Sequence, residues 1–280
     1  MISLYSPKTV TEILGRHELA PLKKLGQNFL IDENIVNKIA EAASDGGNIL
    51  EIGPGMGALT RALAKYSKKV VAVEIDAGMI RVQQETLADL DNVTVLHADV
   101  LKTDIKAVGE EYFGGEPFCV AGNLPYYITA KCILQVLDSG APVKRFTAMV
   151  QKEVADRLAS MPGDSDYGAL TASVAYYGDM EFLFPVSAGC FYPRPDVESA
   201  IVQIHPQAQF SVDRETYTKA VRLLFAMRRK TVQNNLKNGL GVNATRAAEL
   251  LELAGIGPMQ RAEELSPAVY AKLAEVLANN

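Results

Sequence analysis

Two hydrophobic periods alternate along the first two hundred residues. Asn34 to Ala43 places apolar residues at Ile35, Val36, Ile39, Ala40 and Ala43, a helical spacing. Asn48 to Ile52, Lys69 to Glu74, Val93 to His97, Phe118 to Ala121 and Arg145 to Val150 are short apolar runs that predict buried strands. Helical patterns over Ala58 to Lys65, about Ala77 to Leu87, and Lys152 to Ala159 follow three of them. Strands alternating with helices predict a parallel sheet covered on both faces. After Met161 the pattern changes. Pro162 to Asp166 is a polar loop. Met180 to Val186 and Ala200 to His205 predict two more strands, joined through the proline-rich Phe191-Tyr192-Pro193-Arg194-Pro195. From Thr216 onward only helical patterns remain. The chain therefore predicts an α/β domain over residues 1–206 and a smaller all-helical domain over 207–280, with the boundary near 206–210.

Composition narrows the class. A chain of 280 residues is long enough for a large domain and a smaller one. No apolar stretch approaches the ~18 residues needed to span a bilayer. Lys8, Glu12, Arg16 and Glu18 interrupt the N-terminal apolar residues, which is no signal peptide. Cys119, Cys132 and Cys190 have no paired spacing and predict reduced core thiols in a cytoplasmic protein. His17, His97 and His205 are too scattered for a metal cluster, so neither a metal nor a membrane is expected. The net charge of −5 argues against a nucleic-acid partner, but its distribution argues the other way. From Arg214 to Lys237 seven Lys and Arg face one acid, Glu215, a local electrostatic footprint for phosphate. A solvated helix face is the alternative for such a run.

The most informative four residues are Asn123-Leu124-Pro125-Tyr126, directly after the apolar run Phe118 to Gly122. Ligands of open α/β sheets sit beyond the carboxyl ends of strands. An amide and a backbone carbonyl there accept two hydrogen bonds from an exocyclic amine, and a tyrosine stacks on the ring that bears it. That describes a tool for an adenine amino group; the alternative is an Asn-x-Pro turn with a core tyrosine. Glu51-Ile-Gly53-Pro-Gly55-Met-Gly57 is a glycine-rich strand-to-helix loop of the kind that several nucleotide-type cofactors use. Glu74, ending the next strand, is placed for two ribose hydroxyls, or is a solvated strand-end acid. Asp99, after the third strand, is placed for an adenine amino group. An adenosine-containing ligand along these strands, with its reactive end toward Asn123, is the arrangement of an S-adenosylmethionine methyltransferase. A nicotinamide dehydrogenase, which shares the loop and the acid, would need an acid/base residue for its substrate, and no His or Lys is evidently placed for one.

Leu25-Gly-Gln-Asn-Phe-Leu30, Glu51 to Gly57, Val73-Glu-Ile-Asp76, His97-Ala-Asp99, Gly122 to Tyr126, Gln151-Lys-Glu-Val154 and Phe191 to Ser199 occur in the order of one family. Over about residues 22–237 the chain resembles the ribosomal RNA adenine dimethyltransferases of the KsgA type. The resemblance implies a Rossmann-like class I methyltransferase sheet with a helical C-terminal RNA-recognition domain. It implies S-adenosyl-L-methionine held by Asn28, Leu30, Gly53, Gly55, Glu74, Asp99 and Asn123, with S-adenosyl-L-homocysteine as product. Asn123 and the Leu124 carbonyl would hold the target amine, and Tyr126 and Phe191 would sandwich the flipped adenine; for Phe191 a core aromatic beside a proline-rich turn is the alternative.

The implied substrate is two adjacent adenines in the 3′-terminal hairpin loop of 16S ribosomal RNA, within an immature small ribosomal subunit. Arg222, Arg228, Arg229 and Lys230, with Lys23 and Lys24, are the expected RNA contacts, and the family carries an Arg-Arg-Lys run at the place of Arg228-Arg229-Lys230. Met227 stands where many relatives have glutamine. Two other readings compete: a large-subunit methyltransferase of the macrolide-resistance type, which more often has isoleucine at the place of Leu124, and a non-catalytic assembly factor. Nothing calls for an obligate dimer, and a monomer is expected.

Overall fold

The structure, a computed structural model, describes residues 4–22, 25–207, 209–227 and 229–280. It divides into two compact units, Met1–Ala155 with Glu181–Pro206, and Asp156–Met180 with Gln207–Asn280. The sequence pattern drew one boundary near 206–210; the chain also crosses after Ala155 and after Met180.

The first unit contains α1 (Pro7–Arg16), β1 (Phe29–Leu30), α2 (Glu33–Ala43), β2 (Asn48–Ile52), α3 (Ala58–Tyr66), β3 (Lys69–Glu74), α4 (Ala77–Thr86), β4 (Val93–His97), α5 (Ile105–Phe113), β5 (Phe118–Asn123), α6 (Thr129–Asp138) and β6 (Val143–Gln151). There follow α7 (Lys152–Ala159), α8 (Ala169–Val174), β7 (Gly178–Val186), β8 (Phe191–Tyr192) and β9 (Ser199–Pro206). The apolar periodicity does not announce helix α1, although its signal is local: Ser6 caps the Thr9 N–H at 3.1 Å and Pro7 occupies the first turn.

Among the described residues the main sheet has the order β4-β3-β2-β5-β6-β9-β7. The pairs β4–β3, β3–β2, β2–β5 and β5–β6 are parallel. Strand β2 is buried at every residue, as a parallel strand with both faces covered must be, whereas edge strand β4 is half-buried. The expected parallel sheet ends there: β9 runs antiparallel to β6. Strands β7 and β9 are neighbours in the sheet with no α-helix between them in the chain. A Cβ at Gly122 would lie 2.7 Å from the Ile52 carbonyl oxygen, so only glycine lets β5 lie against β2 one step before Asn123.

The second unit continues with α9 (Arg214–Phe225), α10 (Val232–Leu240), α11 (Ala244–Leu253) and α12 (Pro267–Ala278). Its core includes Tyr217, Leu224, Leu236, Leu251 and Tyr270. Tyr167 and Ala172 belong to the same core, and the Tyr217 hydroxyl donates to the Ala172 carbonyl at 2.9 Å. These aromatic and backbone bonds explain why residues 156–180 fold with the helices.

Candidate active site

A cavity of about 220 Å³ opens at the carboxyl ends of β2, β3, β4 and β5, within the first unit. The strap Leu25–Leu30 closes one side, and Val10 of α1 contributes an apolar wall. Its floor is the glycine loop after β2. Gly57 caps α3 at φ +90°, a left-handed conformation, and a Cβ there would meet the Leu87 side chain at 2.7 Å.

The loop is tied to the next strand. Glu74 accepts the Gly55 N–H at 3.0 Å and the Asp76 N–H at 2.9 Å. Burial raises the Glu74 carboxyl above its ordinary range, while these N–H groups pull it back. Each carboxylate oxygen keeps acceptor capacity for a second donor. One strand further out, Asp99 accepts the Leu101 N–H at 3.0 Å and caps a short 3-10 turn.

Asn123 ends β5, two residues beyond the strand expected from sequence. Its Nδ2 donates to the Asn28 carbonyl at 3.1 Å. A carbonyl accepts only from the NH2 side of an amide, so this bond fixes which way the side chain points and leaves Oδ1 as the acceptor. The Asn28 amide donates in turn to the Gly26 carbonyl at 3.1 Å. The Leu124 N–H donates to Met149 at 3.2 Å, holding the peptide that follows Asn123 against β6.

Asn28, Leu30, Gly53, Gly55, Glu74, Asp99 and Asn123 thus border one cavity. Leu124, Tyr126 and Phe191 do not border it. The Tyr126 hydroxyl pairs with Ser199 Oγ at 3.0 Å. Phe191 is only 3% exposed, pairs in β8 with Leu30 of β1, and packs in the core with Val36 and Phe184. Two residues of the site were not singled out from sequence. Tyr127, beside the tetrapeptide, borders the cavity and is 58% exposed. Glu51 also borders it, fully buried, with Oε2 lacking any hydrogen-bond partner. The signal for Glu51 was an acid inside an apolar strand run, where an unpaired charge is costly.

In the second unit Arg222 is exposed on α9, and Arg229 and Lys230 are exposed just before Thr231, the N-cap of α10. Asn235 braces that turn: its amide donates to the Leu224 carbonyl at 2.7 Å and its Oδ1 accepts the Met227 N–H at 3.0 Å. Lys23, Lys24 and Arg228 lie outside the described residues. Among the described residues no group of three or more His, Cys, Asp or Glu is placed to hold a metal ion, and no helix is long and apolar enough to cross a membrane.

The sheet order, with its antiparallel β9 and a cavity at the strand ends bordered by two successive acids, is that of a class I methyltransferase. The chain belongs to the ribosomal RNA adenine dimethylase family, which matches residues 21–279. It is 43% identical over 282 residues to the ribosomal RNA small subunit methyltransferase A of Geobacillus thermodenitrificans, covering 97% of this chain and 96% of that one. In structure it is similar to a dimethyladenosine transferase from Plasmodium falciparum, with 27% identity, a TM-score of 0.71, and coverage of 88% of this chain and 95% of that one. It is also similar to the 23S rRNA methyltransferase ErmE, with 29% identity, a TM-score of 0.66, and coverage of 90% and 100%. Fold and family together imply an S-adenosylmethionine-dependent enzyme acting on ribosomal RNA. The cavity fits such a cofactor: it offers acids for hydroxyl and amino donors, apolar walls, and an orphaned buried carboxyl oxygen.

Proposed function

We propose that this chain methylates N6 of two adjacent adenines in the 3′-terminal hairpin loop of 16S ribosomal RNA, twice on each base, within an immature small ribosomal subunit. The observation that carries the reading is the orientation of Asn123, whose Nδ2 donates to the Asn28 carbonyl and so leaves Oδ1 as the acceptor for a substrate amine. The Geobacillus relative named for the small subunit, at 43% identity, favours this substrate over the large-subunit one of ErmE, at 29%.

An adenine amino nitrogen is a poor nucleophile because its lone pair is conjugated with the ring. Asn123 Oδ1 and the Leu124 carbonyl accept its two N–H groups, which favours a pyramidal nitrogen with its lone pair directed along the cavity. When bound, S-adenosylmethionine supplies a methyl group on a positively charged sulfur, and S-adenosylhomocysteine remains as product. Asp99 takes the adenine amine of that cofactor and Glu74 its ribose hydroxyls, while Asn28, Leu30, Gly53 and Gly55 shape the wall around it. Proximity and orientation then account for most of the rate. Asn123 does not act as a base; the methylated ammonium loses its proton to water. After one transfer a single N–H remains, which Oδ1 or the carbonyl still accepts.

Tyr126 stacks on the extruded base. Phe191, which lies in β8 against β1, supplies the second face of the sandwich. Arg222, Arg229 and Lys230 contact phosphates, and Lys23, Lys24 and Arg228 belong to the same basic set by sequence. The enzyme works as a cytoplasmic monomer. Primer-extension mapping after incubation with unmodified small and large subunits tests the substrate. The expected result is two adjacent stops in the small-subunit 3′ hairpin; stops confined to large-subunit RNA would overturn it.

A further inference from the structure

Gly53, Gly55 and Gly57 bring no side chain to fix the loop after β2, and its shape is held from behind, by α4. Gln83 Nε2 donates to the Gly55 carbonyl at 2.6 Å, and Thr86 Oγ1 donates to the Met56 carbonyl at 2.8 Å. The two residues share one face of α4, are 3% and 0% exposed, and lie outside the cavity lining. Arg61 of α3 ties the end of α4 down. Its guanidinium donates to the Thr86 carbonyl at 2.7 Å and, through both terminal nitrogens, to Asp89 at 2.6 and 2.8 Å.

Packing alone does not account for Gln83. Among the described residues its buried Oε1 has no hydrogen-bond partner, a loss of stability that an apolar side chain of similar length would avoid. What the amide does make is the bond to Gly55. A trans peptide points its C=O and the following N–H in opposite directions, so a Gly55 carbonyl turned to α4 sends the Met56 N–H away from α4. The Met56 carbonyl does the same for the Gly57 N–H, which meets the Pro54 carbonyl at 2.9 Å. Gly55 and Met56 border the cavity while Gln83 and Thr86 stand behind them, so the Met56 N–H is directed to the cavity side.

We propose that Gln83 and Thr86 are positioning residues for cofactor binding. By fixing the Gly55 and Met56 carbonyls on α4 they preset the loop for a ligand that neither of them touches. The inference rests on the cofactor reading of the cavity. A loop set before binding spares the ligand the cost of ordering it, so loosening the loop lowers cofactor affinity and leaves the transfer step alone.

Isothermal titration calorimetry with S-adenosyl-L-homocysteine, and steady-state methylation of unmodified small subunits, test this on four variants. Gln83→Met and Thr86→Val lose the donor at nearly constant size. Each is expected to weaken S-adenosylhomocysteine by about tenfold and to raise the KM for S-adenosylmethionine equally, with kcat changed by less than about threefold. Thr86→Ser keeps the hydroxyl and is expected to bind as wild type does. Asp89→Ala loosens the end of α4 from α3 without touching a loop carbonyl. It is expected to lower stability to urea and to leave affinity within about twofold of wild type. Wild-type affinity in both donor-free variants, or equal weakening in Asp89→Ala, would overturn the assignment. Should neither donor-free variant fold, amide exchange of the wild type read by NMR decides. S-adenosylhomocysteine is expected to slow exchange at Met56, and an unchanged rate there would overturn the assignment. A wild type that binds no S-adenosylhomocysteine is a different result: it removes the cofactor reading, and this inference with it.

Discussion

The cavity at the sheet's carboxyl ends and the basic turn before α10 are built by opposite means. The cavity gathers side chains from positions 28 to 123 onto four strand ends, and three of its acceptors, on Glu51, Glu74 and Asn123, are placed by register and by backbone N–H or carbonyl partners. The turn is local: Arg229 and Lys230 are sequence neighbours, exposed, and held only by the backbone that Asn235 braces. In the cavity Glu74 and Asn123 have fixed partners in a low-dielectric setting, so losing one changes chemistry. On the turn each cation is solvated and screened, so losing one changes only how long RNA stays. Reaction and recognition are thereby separable by mutation.

Substitutions should divide along that line. Asn123→Ala removes the oriented acceptor, and single-turnover methyl transfer is expected to fall by about 100-fold or more, with S-adenosylhomocysteine affinity falling much less. Near wild-type turnover would break the contrast at its strongest point. Tyr126→Ala should weaken RNA capture by about 1–3 kcal/mol through lost stacking, read as a raised KM for the subunit. Tyr126→Phe, which loses only the Ser199 bond, should cost about 1 kcal/mol.

Glu51 sharpens the comparison in the ligand-free protein. Its folded-state carboxyl lies near 8 while an unfolded one titrates at the ordinary acid range, so the folded state holds the extra proton between the two. Stability from this group is greatest below the ordinary range and falls as pH rises toward about 8, by up to about 1.4 kcal/mol per unit. Urea denaturation should therefore show Glu51→Gln gaining on wild type between pH 6 and pH 8; parallel curves would contradict the buried, unpaired acid. The smallest effect belongs to the turn. Arg229→Ala should reduce the slope of log affinity against log salt by about 0.7–0.9 and leave the transfer step unchanged.

Much of the cavity was legible because parallel buried strands read as unbroken apolar runs, and the residue that follows each run must stand at a strand end. Gly53, Glu74, Asp99 and Asn123 were found that way. What was not legible depended on pairings far apart in the chain. The Asn123–Asn28 bond spans 95 residues, and no local pattern announces it. The direction of β9 and the membership of Tyr167 and Ala172 in the helical core are likewise decided by packing partners. Phe191 shows the limit from the other side: its proline-rich motif is recognisable, yet its ring is in the core. Glu51 was in plain view inside the glycine-loop motif, but only the structure shows that its oxygen has no partner.

The most direct test counts methyl groups. Small subunits from cells lacking the modification are incubated with S-adenosylmethionine and either wild type or Asn123→Ala, and the digested nucleosides are measured by mass spectrometry. Close to two dimethyladenosines per particle with wild type, and almost none with the variant, is the predicted result. Equal yields from both, or none from wild type despite tight particle binding, would contradict the account.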